Sequence, residues 1–63
     1  MTASQIAYVW IQGIIDSSNN DFHFDGVDKL IHLFNERYNN ASLTICLQQQ
    51  RQDHWNNLHS ILN

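Results

Sequence analysis

A small all-α domain of three helices, at about 3–17, 26–38 and 42–62 and assembled as a helical homodimer, is what these 63 residues predict. Three observations lead there. Apolar residues recur every third or fourth position over three separate stretches, with no sustained alternation of the kind a half-buried strand requires. With 43% hydrophobic residues and no proline, the Asn- and Gln-rich runs (Asn19-Asn20, Asn39-Asn40, Gln48-Gln49-Gln50, Asn56-Asn57) read as the uncharged polar surface of a folded domain, not as a disordered tract. The first helix, finally, is apolar around most of its circumference, more than two companion helices can cover.

That first helix opens on Thr2-Ala3-Ser4-Gln5, which has the form of a capping box. Projected at about 100° per residue, Gln5, Gln12 and Asp16 collapse onto one narrow stripe, while Ile6, Ala7, Tyr8, Trp10, Ile11, Ile14 and Ile15 occupy most of the remainder. Gly13 costs about 1 kcal/mol relative to alanine in a helix interior and marks a candidate close crossing with another helix. Residues 16–25 read as a turn-rich link whose Phe22 and Phe24 fold back over the core.

The second helix is the clearest. Val27, Leu30, Ile31, Phe34 and Tyr38 share one face; Asp25 is the expected N-cap, Arg37 complements the negative end of the dipole, and Asn39-Asn40 can adopt the left-handed conformation that stops a helix. In the third segment, Leu43-Thr44-Ile45-Cys46-Leu47 would also suit a short strand, but an isolated strand has no partner here. A helix capped by Ser42 is therefore expected, with an inner stripe of Leu43, Leu47, His54, Leu58, Ile61 and Leu62 and with Trp55 on its flank; the polar interval 48–53 is where it could break.

Chemistry-bearing constellations are sparse. Asp21, His23 and Asp25 alternate, so an extended backbone would place all three on one face as weak candidate metal ligands; the plainer reading turns the two phenylalanines inward and these residues to water. Asp28, His32 and Glu36 follow at i, i+4 and i+8, where His32 can pair with either carboxylate and become pH-sensitive. His54 falls on an inner face, where a satisfied hydrogen bond to a backbone carbonyl or to Tyr8 is the expected state and a pH-sensitive subunit contact the sharper alternative. Cys46, the only cysteine, has no oxyanion feature beside it, so neither catalysis nor a cofactor is expected.

Six acidic against three scattered basic residues, a net charge of −3, weigh against nucleic acid, which needs clustered cations for its phosphates. The lone cysteine, the lack of a signal pattern and the absence of any apolar run near 20 residues suggest a cytoplasmic protein with no membrane segment. The function expected is a non-enzymatic interaction module, an adaptor, inhibitor or regulator, that pairs with itself and with another protein. Tyr8, Trp10, Ile11, Ile15 and Trp55 are its candidate contact residues. Two alternatives stand beside it: a helix-turn-helix regulator reading bases with Gln48 to Gln52 and Arg51, and a small divalent-metal-binding protein using Asp21, His23 and Asp25.

Overall fold

The three N-terminal caps decide where the helices begin. Residues 2–60 are described by a computed structural model, in which α1 (Ala3–Ser17), α2 (Asp21–Tyr38) and α3 (Ala41–Ser60) each pack against both of the others. Thr2 and Gln5 form the expected reciprocal box, with the Gln5 N–H donating to Thr2 Oγ1 at 3.2 Å and the Thr2 N–H donating to Gln5 Oε1 at 3.0 Å. The short links at 18–20 and 39–40 force consecutive helices antiparallel, giving an up-down-up bundle 40 Å long and 17 Å across.

The second helix starts earlier than Asp25. Its N-cap is Asn20, whose Oδ1 accepts from the His23 N–H at 2.9 Å, and Asp21 supplies the first-turn carboxylate. The extra turn is stabilised by packing: once 21–25 is helical, Phe24 lies on the same face as Val27 and Ile31 and is 1% exposed. Phe22, two residues earlier and therefore on roughly the opposite side, is 85% exposed, so only one of the two phenylalanines covers the core. Asn39 ends the helix at φ 48° and ψ 43°, its N–H donating to Asn35 O at 2.8 Å.

The third segment is helix throughout its described length, with no strand at 43–47 and no break at 48–53. Its N-cap is Asn40, not Ser42: Asn40 Oδ1 accepts from the Leu43 N–H at 3.1 Å, and Ser42 already lies inside the helix. One buried residue escaped the expected stripe. Thr44 has its hydroxyl 2.8 Å from Asn40 O and 3.1 Å from Asn35 Oδ1, which ties α3 to the end of α2. The inner-stripe positions Ile61 and Leu62 lie outside the described residues.

The main core is Ile11 and Ile15 from α1, Val27, Ile31 and Phe34 from α2, and Leu47 from α3, flanked by Tyr8, Leu30, Tyr38 and Leu43. Near the 18–20 turn a second contact forms around Phe24. Trp55 meets it edge-to-face at a ring separation of 5.0 Å, and the Arg51 guanidinium lies 5.0 Å from the Phe24 ring centre and 5.5 Å from that of Trp55. Arg51 also donates to both Asp28 oxygens, at 3.0 and 3.2 Å, so one cation holds α2 and α3 together at this end. No helix among the described residues is long and apolar enough to cross a membrane.

Candidate interaction surface

Building the bundle divides the five candidate contact residues sharply. Ile11 and Ile15 are 3% and 0% exposed, so they belong to the core and present nothing to a partner. Tyr8 is half-buried between α1 and α3 beside Cys46, and lost solvation first, then the adjacent thiol, push its phenol above the ordinary value of 10.0. Trp55 is engaged within the molecule, between Phe24 and a stacked His59 ring 3.9 Å away. Trp10 alone of the five is largely in solvent, at 61% exposure.

Around Trp10 the structure adds residues that were not singled out as contacts. Ile6 and Val9 share the outer side of α1 with it, and Leu33 projects from α2 across a shallow groove whose walls include Ala7, Trp10, Leu30 and Tyr38. Further along the same pair of helices, Ile14, Gly26, Leu30 and Phe22 line a second, predominantly apolar depression of about 380 Å³. Leu33 could have been found from the sequence, since it lies well over 90° from the mean direction of Val27, Ile31 and Phe34 on a helical projection. The other two outer grooves are more polar. Between α2 and α3 the walls include Asp28, His32, Asn35, Thr44 and Gln48, and between α1 and α3 Gln5 and Gln12 stand beside Tyr8, Val9 and Leu43.

The titratable constellations are scattered or internally paired. Helical backbone at 21–25 sets His23 on the far side of α2 from Asp21 and Asp25, so the three do not converge as an extended segment would make them. No group of three or more His, Cys, Asp or Glu among the described residues could hold a metal ion. His32 Nε2 pairs with Glu36 Oε1 at 3.0 Å on an open surface, while Asp28 turns instead to Arg51. His54 Nε2 lies 2.8 Å from the carbonyl of Ser18, the residue that closes α1. A carbonyl only accepts, so Nε2 carries the proton in this bond.

In the Gln48 to Gln52 row, Gln48 is exposed, while residues 49–52 bond across to a neighbouring helix or along their own. Gln50 donates to Gln12 O and Asp16 across to α1, Gln49 donates to Asp53, Gln52 donates to Asn56, and Arg51 is fixed on Asp28. That arrangement offers phosphate no free cation from this row. No family model matches the chain, and no curated protein or solved structure matches it either.

Proposed function

We propose that this chain is a non-enzymatic protein-interaction module, an adaptor, inhibitor or regulator, which works as a helical homodimer and offers its acidic, Asn- and Gln-rich remaining surface to another protein. The observation that carries the reading is the outer side of α1 with its α2 neighbour: Ile6, Val9, Trp10 and Leu33 are each more than half exposed on adjoining faces. Contiguous apolar surface of this kind in a small bundle is normally covered by association. A second support is the internal engagement of the polar groups that might otherwise converge on a ligand, as Arg51, His54 and Gln50 illustrate.

Sedimentation equilibrium over a wide range of protein concentration tests the proposal. The expected result is a monomer–dimer equilibrium, accompanied by a melting temperature that rises with concentration. Leu33→Lys is expected to shift the equilibrium to monomer with helical circular dichroism unchanged, because the substituted side chain is exposed within the bundle. A wild-type protein that stays monomeric at every concentration overturns the dimer.

A further inference from the structure

Gly13 is a glycine for which the folded monomer has no use. It lies in the interior of α1, its φ is negative, it is exposed, and a Cβ built on it would meet nothing within 4 Å. Neither the conformational freedom of glycine nor its small size is required by any neighbour within the bundle, yet the residue weakens the helix that carries it. What surrounds it on the surface is informative. At about 100° per residue, Ile6, Trp10, Gly13 and Ser17 fall within about 60° of one another, in one stripe directed away from the core.

Read along the helix, that stripe is large, large, small, small. We propose that it is a self-complementary docking surface for a second copy of this chain, in which two α1 helices cross antiparallel and the Trp10 ring of each copy lies over Gly13 of the other. The inference rests on the dimer proposed above and assigns its contact. A two-fold axis passing between positions 11 and 12 sets Trp10 against Gly13 and Ile6 against Ser17, twice each, as an isologous interface requires. Parallel pairing would instead stack Trp10 on Trp10 and leave the two glycines facing a gap.

Charge and size fit the same occupant. The chain carries a net charge of −3, which opposes self-association, but the stripe has no charged residue. The nearest carboxylate, Asp16, is turned towards α3, where Gln50 Nε2 donates to it at 3.2 Å. Antiparallel crossing also opposes the two helix dipoles favourably. The face two helices wide, about 22 Å along α1, brings Val9 and Leu33 to the edges of the contact, on the scale from which a standard interface removes about 800 Å² per partner.

The test uses the whole chain and four substitutions. Gly13→Ala and Gly13→Leu fit the monomer and raise helix propensity, so both should fold at least as well as wild type. They should nevertheless weaken the dimer, by about tenfold for alanine and at least a hundredfold for leucine, as measured by sedimentation equilibrium, because each dimer carries the obstruction twice. Ile6→Cys in a Cys46→Ser background reports direction. The two Ile6 positions stand about 16 Å apart along the axis in the antiparallel crossing and adjacent in the parallel one, so no rapid disulfide cross-link is expected. If Gly13→Leu leaves the dimer intact, or Ile6→Cys cross-links readily, the dimer stands and this contact is overturned. A monomeric wild-type chain overturns both.

Discussion

Asn39 and His54 illustrate how much single residues contribute at the helix ends. Asn39 holds a left-handed backbone, which asparagine tolerates through local hydrogen bonding of its short amide side chain and which alanine resists. Asn39→Ala is expected to lower stability by about 1 kcal/mol, and Asn39→Gly to be neutral or stabilising, both read from urea unfolding. His54→Ala removes the donor to Ser18 O and leaves that carbonyl, on a residue only 2% exposed, without this bond; a loss of about 1–3 kcal/mol is expected in the same assay.

Tyr8 supplies a pH dependence whose sign follows from its raised pKa. The neutral phenol is favoured in the fold, so its contribution is fully present below the unfolded-state value near 10 and disappears as pH rises through the folded one. The unfolding midpoint should therefore fall more steeply above pH 10 in wild type than in Tyr8→Phe. Equal slopes would remove Tyr8 as the cause.

At the scale of the element, both glycines lie inside helices with negative φ and open space at the Cβ position. Gly26→Ala should raise stability by about 1 kcal/mol through propensity alone. A guanidinium unfolding curve shifted to lower denaturant would show that α2 needs a residue without a Cβ at this position. The extra turn at the start of α2 is also an element-scale effect. Capping preference alone ranks Asp25 and Asn20 nearly equally, and burial of Phe24 against Trp55 and Arg51 separates them. In the same way, Asn40 caps α3 in place of Ser42 because the sharp turn at Asn39 brings α3 in two residues earlier.

Over the whole molecule, three helices, their order and most of their inner faces were legible along the chain, because Val27, Ile31 and Phe34 recur at the helical period and the strand-like run at 43–47 had no second strand to pair with. Thr2 was legible as a cap for the same reason: a capping box is contained within four residues. What surrounds each helix was not legible. Ile11 and Ile15 are as hydrophobic as Ile6, and their sequence neighbourhoods are as apolar; only the placement of α2 and α3 sends the first two to the core and leaves Ile6 with Trp10 and Gly13 outside. Asp28 and Arg51, twenty-three residues apart, likewise became a pair only when α3 was laid beside α2. Periodicity is a property of one helix and can be read along the chain. Burial is a property of two or three helices in contact, so the division of α1 into a core side and an uncovered side was decided by tertiary packing.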